Sequence, residues 1–429
     1  MTDFSGRYQP PNVAGHSRLG PARHALGYGV GSYRAFCAAV CVVMFFTGLS
    51  IYAYSSGLVP FPPLFVVYGL SVLALPLIAS QSGAQALLSS RLTRWALANA
   101  VLVAFSYLWS SQSAVATRAV RTQLLCSAFL AILIVLFSDR EVVRRSRFLV
   151  LWCTIFAIAL NCYELFHPKT FSAEFGRAAG LYINPNISAS AIVAGMILSV
   201  QLVKGSQRTL LVMLAGLGIF LTLSRGALLC WAVVVTSLVI QGHVRPRQVL
   251  TGAVLLALVS TPALIAAGQY ERIVAAYDLI ESHSQGFRRV VDVQDVIASG
   301  DYSTEERTAV AARAFELFKE RPLTGFGIGT TNEWEFRAST HNMYLRYGAE
   351  YGIFGIALYF WLVVLLLHDG ARGDRVLAVN MCLFILVWGL FSHNVLEEWH
   401  LLLAIALCHA ALREVPRDRA TAQIALAPI

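Results

Sequence analysis

Charge is what this chain has least of. Of its 429 residues only 13% are Asp, Glu, Lys or Arg, against 57% that are hydrophobic. Soluble globular domains carry about a quarter charged residues, so a soluble protein is excluded and a polytopic membrane protein is expected. Cysteine is sparse and badly placed for chemistry. The eight residues, Cys37, Cys41, Cys126, Cys153, Cys162, Cys230, Cys382 and Cys408, lie inside or at the edge of apolar runs, with no CxxC pair and no Cys/His metal spacing. Neither a disulfide framework nor a zinc site is expected. There is no Asp-x-Asp and no carboxylate pair of metal-dependent glycosyltransferase type, so nothing calls for a divalent metal or any other cofactor. The apolar runs are almost empty of Asp and Glu, which argues against a proton-coupled transporter. The net charge of +9 is scattered between those runs, not gathered on one face, so nucleic acid is not an expected partner. No short apolar run with a small-residue cleavage site follows the polar first 32 residues, and no cleaved signal peptide is expected.

What is abundant is apolar sequence. Runs of about 17–25 residues can cross a bilayer as helices. Twelve are read here, at 33–54, 58–79, 93–110, 118–138, 147–166, 187–203, 208–223, 226–241, 248–268, 346–367, 375–393 and 399–413. The expectation is an all-α polytopic protein of about twelve transmembrane helices. Lys and Arg set its orientation. With the N-terminus in the cytoplasm, every cytoplasmic segment is basic, from Arg7, Arg18, Arg23 and Arg34 through Arg140, Arg144, Arg145 and Arg147 to Arg413, Arg417 and Arg419. The chain then divides into a cytoplasmic tail 1–32, nine spans over 33–268, an outward loop region 269–345, three spans over 346–413 and a cytoplasmic tail 414–429.

The outward region is built to carry chemistry. Ser303-Thr-Glu-Glu306 reads as a capping box. Apolar Val310, Ala314, Leu317 and Phe318 then follow at amphipathic-helix spacing until Pro322. Gly325-Phe-Gly327-Ile-Gly329 reads as a flexible loop, with hinges for a movement on substrate binding. Neither this glycine run nor Gly27-x-Gly-x-Gly31 follows a strand, so neither is a nucleotide cradle.

Four constellations stand out. Arg177-Ala-Ala-Gly180 leads into Asn184-Pro185-Asn186, a turn in which Asn186 can cap the sixth span. Taken alone, Arg177 reads as an interfacial arginine reaching for headgroups. Ser224-Arg225-Gly226 sits between two apolar runs, where an arginine is costly and is kept when paired or functional. Arg307 lies on the first turn of the capped helix, where amides and guanidinium together suit a phosphate; a solvated surface arginine is the plain alternative, since Arg313, Lys319 and Arg321 are similar in kind. His341 begins the tenth span with Ser339 or Thr340 as caps, and a helix N-terminus keeps an imidazole neutral and able to accept a proton. Asn342, Tyr344 and Glu350 follow it, and His393-Asn394 with Glu397-Glu398 form a weaker cluster that reads as structural or acceptor-lining. Arg177, Arg225, Arg307 and His341 all face outward in this topology. Three cations and a neutral base beside a bilayer suit a lipid-linked diphosphate donor: the cations hold the diphosphate as it leaves, and the histidine activates an acceptor hydroxyl.

At these residues the sequence resembles the O-antigen ligase / Wzy-C superfamily. The resemblance rests on Arg177…Gly180…Asn184-Pro185-Asn186, then Ser224-Arg225-Gly226, then Arg307 ahead of Pro322-Leu-x-Gly325-x-Gly327, then His341-Asn342-x-Tyr344-Leu…Glu350-x-Gly352-Ile-x-Gly355. It implies a GT-C-like membrane glycosyltransferase with a helical periplasmic region closing over its site, in a Gram-negative inner membrane. A ligase of this kind moves O-antigen from undecaprenyl diphosphate to a sugar hydroxyl of lipid A–core, without metal and with inversion. Proteins of the O-antigen export pathway are further partners it implies. Arg225, Arg307 and His341 match the family's essential Arg, Arg and His. Arg177, Asn184, Asn186, Asn342, Tyr344 and Glu350 fall at substrate-side positions. Ala309-Val310-Ala311 departs from the aromatic that members often carry after the second Arg. O-antigen polymerase and protein O-oligosaccharyltransferase are the sister readings, and a lipid-linked sugar transporter or flippase is the reading from another class.

Overall fold

The computed structural model describes residues 21–172, 174, 176–254, 258, 308–334, 336 and 339–413, with side chains described from residue 29 onward. All regular structure among them is helical. The helices are α1 (Pro21–Phe46), α2 (Leu49–Ser55), α3 (Pro63–Ala79), α4 (Gln81–Ser89), α5 (Arg91–Tyr107), α6 (Ala114–Leu136), α7 (Arg140–Phe166), α8 (Pro185–Ser199), α9 (Ser206–Leu221) and α10 (Arg225–Ile240). After these come α11 (246–254) and α12 (308–320), then α13 (Met343–Arg372), α14 (Arg375–Trp388) and α15 (Trp399–Leu412).

Eleven of the twelve apolar runs thus coincide with helices, while the ninth, 248–268, falls largely outside the described residues. Length separates them. Four helices, those within Gly29–Phe46, Ala114–Leu136, Arg140–Phe166 and Met343–Arg372, are long and apolar enough to cross a membrane. The pair α3–α4, bent by 97° at Ser80, makes a fifth if counted as one span. The apolar helices α8, α9, α10, α14 and α15 have only 14–16 residues. At about 1.5 Å per residue they reach about 21–24 Å, short of a hydrocarbon layer of about 30 Å. The described helices therefore carry four or five full spans by length.

Burial orders the bundle. α8 and α15 are buried on nearly every face, as expected of helices that are apolar all round. They pack against each other and against α7 and α14. The flanking helices turn large apolar side chains outward, among them Leu75, Phe105, Trp152 and Val364, each more than half exposed. That is the surface of a protein whose solvent is lipid.

The glycine run after α12 departs from the flexible loop expected of it. α13 breaks at Gly352 (φ 64°, ψ −150°), and the chain at Pro322 fills the break. Ile353 donates to the Pro322 carbonyl at 2.8 Å, Phe326 to Ala349 and Gly327 to Glu350, each at 2.9 Å. These bonds satisfy backbone groups that a kinked helix would otherwise leave open. Gly327 (φ 96°) leaves no room for a side chain, since a Cβ there would stand 2.7 Å from the Ser106 carbonyl oxygen. The run is a packed joint between α5 and α13. The amphipathic reading of α12 agrees with the structure: Val310, Ala314 and Leu317 are buried. Its capping box at 303–306 lies outside the described residues. Gly327→Ala is expected to cost about 2–4 kcal/mol through backbone strain and overpacking, read as a lower melting temperature in detergent. An unchanged melting temperature would show that the joint yields.

Candidate functional site

Three helix N-termini open on one cleft of about 660 Å³, lined by Asn186 of α8, Ser224, Arg225 and Gly226 of α10, and His341, Asn342 and Leu345 of α13. Arg177, Thr340, Leu223, Trp388, Leu390, Phe391 and Ala311 of α12 complete the wall. Each helix start carries roughly half a positive charge and unpaired amides, so their convergence favours an anion.

Local sequence explains each position. Asn184, not Asn186, caps α8: its side-chain oxygen accepts from the amides of Asn186 and Ile187. Asn186 is thereby free to accept from Arg177 Nη2 at 3.1 Å. Arg177 Nε donates to the Thr222 carbonyl at 2.9 Å, and its other Nη pairs with Glu174. The arginine read as reaching for headgroups instead fastens the turn before α10 to the start of α8. That turn, with Leu223 at φ 52°, ends α9 and lets Arg225 begin α10. Arg225 is therefore an exposed residue at a helix end, not one embedded between two hydrocarbon-spanning runs. It has no carboxylate partner among the described residues. Asn342, not Ser339 or Thr340, caps α13 by accepting from the Leu345 amide at 3.0 Å. His341 precedes it at φ 45°, exposed, with its ring edge-to-face against His393 at 5.6 Å.

The cleft thus brings together Arg177, Asn186, Arg225, His341 and Asn342. Asn184 stands beside it as a cap. Arg307 lies outside the described residues; Ala311, four residues later, is on the cleft wall. Tyr344 and Glu350 do not line it. The Tyr344 hydroxyl donates to the Leu386 carbonyl at 2.8 Å, and its ring packs on Tyr359. Glu350 is fully buried and accepts from Thr331 Oγ1 at 2.5 Å.

Sequence reading missed Arg346. It is 3% exposed and bonds Glu397 at 2.6 Å, the His393 carbonyl at 3.1 Å and Asn394 Oδ1 at 3.3 Å, with Glu350 at 3.6 Å. A signal was present: Arg346 and Glu350 stand at i,i+4 in an otherwise apolar run. The cluster His393, Asn394, Glu397 and Glu398 takes the structural reading. Its first three members hold Arg346 or abut His341, and Glu398 lies 3.4 Å from His400. Burial first, then the charge of Arg346 and the neighbouring His341, push the His393 imidazole down to about 3, so it stays uncharged near neutral pH.

The fold and the cleft define an all-helical membrane protein with cations and an imidazole gathered at helix ends. Residues 210–360, about a third of the chain, match the family model described as O-antigen ligase. That match supports a relationship of this stretch to the O-antigen ligase superfamily. The matched stretch contains Arg225, Arg307 and His341, whereas Arg177, Asn186 and Trp388 lie outside it. No curated protein matches the chain.

His393 yields a pH prediction. Its folded value lies below the unfolded value of about 6.5, so the unfolded chain binds the extra proton in between. Stability is therefore complete above about pH 6.5 and falls as pH drops toward 3. His393→Gln should flatten the fall in melting temperature between about pH 6.5 and 4; an equally steep fall in the variant would contradict the assignment.

Proposed function

We propose that this chain is an O-antigen ligase. It would transfer O-antigen polysaccharide from undecaprenyl diphosphate to a sugar hydroxyl of lipid A–core, on the periplasmic face of a Gram-negative inner membrane. The observation that carries this reading is the shared cleft of Arg225 and His341, set among three helix N-termini. In the reaction His341 takes the proton from the acceptor hydroxyl. The acceptor oxygen attacks the anomeric carbon from the face opposite the diphosphate, and the bond from that carbon to the diphosphate oxygen breaks. The glycosidic bond forms with inversion, and undecaprenyl diphosphate leaves with the electron pair of the broken bond. Arg225 and Arg307, with the helix ends, stabilise the charge growing on the leaving group. Arg177, tied to Asn186, holds the cleft's far wall. No metal is called for in this scheme.

The surrounding architecture follows in the same proposal. The fold is GT-C-like, with the shorter helices and their connections completing twelve crossings and both termini in the cytoplasm. The region 269–345 belongs to the periplasmic side. Tyr344 and Glu350 support the walls and do not touch substrate.

Reconstituted protein given undecaprenyl-diphosphate O-antigen and lipid A–core in excess chelator should build a glycan ladder on lipid A–core. His341→Ala should reduce the rate about 10²–10⁴-fold, the usual worth of a general base, and Arg225→Gln should also abolish the ladder while the protein stays folded. Longer lipid-linked glycan in place of a ladder on lipid A–core would mean a polymerase. Transfer to a pilin-like protein would mean an oligosaccharyltransferase. Movement of lipid-linked glycan without any transfer, undiminished in His341→Ala, would mean a flippase.

A further inference from the structure

A second cleft, of about 260 Å³, lies at the other end of the bundle. α13 starts beside the first cleft at Met343 and runs on past Asp369. Oδ2 of Asp369 stands 2.9 Å from Nδ1 of His409, a residue that lines the second cleft. Four helices meet there. α6 stops at Leu136, α7 starts at Arg140 and α15 stops at Leu412, while α4, bent 97° away from α3, packs against α6. Buried Ile134, Phe137 and Ala406 give the cleft apolar surface. Its exposed polar residues are Ser89, Ser138, Arg140 and Arg413.

The carboxylates described at this end are engaged elsewhere. Asp139 caps α7, accepting from the amides of Glu141 and Val142. Glu141 pairs with Arg144 at 3.0 Å and with Arg145 at 2.8 Å. Asp369 pairs with Arg91 at 2.5 Å. Arg413 has no carboxylate partner among the described residues, and its Nη2 donates to Ser89 Oγ at 3.4 Å. Two guanidiniums and two hydroxyls around one opening suit phosphate oxygens. A free phosphate would leave the apolar surface unused, whereas a lipid covers it. Leu88, next to Ser89, is 85% exposed, and Phe148 of α7 is exposed as well. Basic pockets between helices, at the level where the chain leaves the hydrocarbon, are where anionic headgroups lodge.

We propose that this second cleft binds an anionic phospholipid, with Arg140 and Arg413 holding the headgroup phosphate and Ser89 and Ser138 donating to its oxygens. The apolar residues of the cleft meet the lipid's glycerol and first acyl carbons. The site stands apart from the transfer cleft and does not rest on the ligase reading. With both termini in the cytoplasm it opens on the cytoplasmic leaflet, whose anionic lipids arginine attracts.

Full-length protein in mild detergent, titrated with phosphatidylglycerol and followed by native mass spectrometry, gives the test. The double variant Arg140→Gln/Arg413→Gln should weaken binding of one lipid per chain by about tenfold or more. Ala86→Phe keeps both arginines but fills the cleft, and should weaken that lipid by a similar factor. Arg144→Gln/Arg145→Gln removes the same charge from the same end outside the cleft, and should leave the affinity unchanged. The assay involves no transfer, so its outcome is independent of the reaction at the first cleft. Equal weakening in the Arg144/Arg145 variant would mean a generic basic surface and overturn the site. Unchanged affinity in both cleft variants would overturn it too, as would displacement of the lipid by an equal concentration of soluble glycerol phosphate. Binding seen only after removal of residues 414–429, which include Glu414 and Asp418, would assign the cleft to the chain's own tail instead.

Discussion

A single guanidinium holds together the parts that make the cleft. Arg346 is buried in an apolar bundle, where an unpaired charge would be prohibitively costly. The fold answers by bringing oxygens to it from several segments: Glu350 one turn further along α13, and the His393 carbonyl, Asn394 and Glu397 from the connection after α14. Each carboxylate is in turn steadied from elsewhere. Gln123 of α6 donates to Glu397 at 2.6 Å, and Thr331 after the glycine run donates to Glu350. Four stretches distant in sequence are thereby fixed to one another, and two of them carry cleft walls.

The position of His341 follows from that constraint. The connection gripped by Arg346 presents His393, which packs edge-to-face on His341 and accepts or donates at Ser339 Oγ over 3.2 Å. The packed glycine joint seats the other end of the same structure against α5 and into the break of α13. The imidazole at the mouth is exposed, yet the backbone beneath it is held from both sides. An exposed side chain can thus be accessible without being poorly placed.

Much of this was legible from sequence, and the omissions have physical causes. Hydropathy located helices because apolar runs in lipid have no other backbone solution. It could not give their lengths: α14 stops at Trp388 because the chain turns to deliver His393 and Glu397, residues that an apolar window absorbs into a span. Arg225 looked embedded because apolar residues flank it on both sides. The three-residue turn at 222–224, stabilised by Arg177 from the preceding loop, places it at a helix end. The caps stand two or three residues from the expected ones, since Asn184 and Asn186 are chemically equivalent in sequence and only backbone geometry distinguishes them. The glycines suggested hinges by their freedom, whereas the fold uses them for close approach. Arg346 was overlooked because a charge surrounded by apolar residues reveals its partners only in three dimensions.

The central claim is that cations and an imidazole from distant segments form one site for a lipid-linked diphosphate. Equilibrium binding of undecaprenyl diphosphate, compared among wild type, Arg225→Gln and His341→Ala in the same detergent, tests it most directly. The account predicts weaker binding, by about tenfold or more, on loss of Arg225's charge-assisted bonds, and near-normal binding without His341. Equal affinity in all three proteins would contradict it.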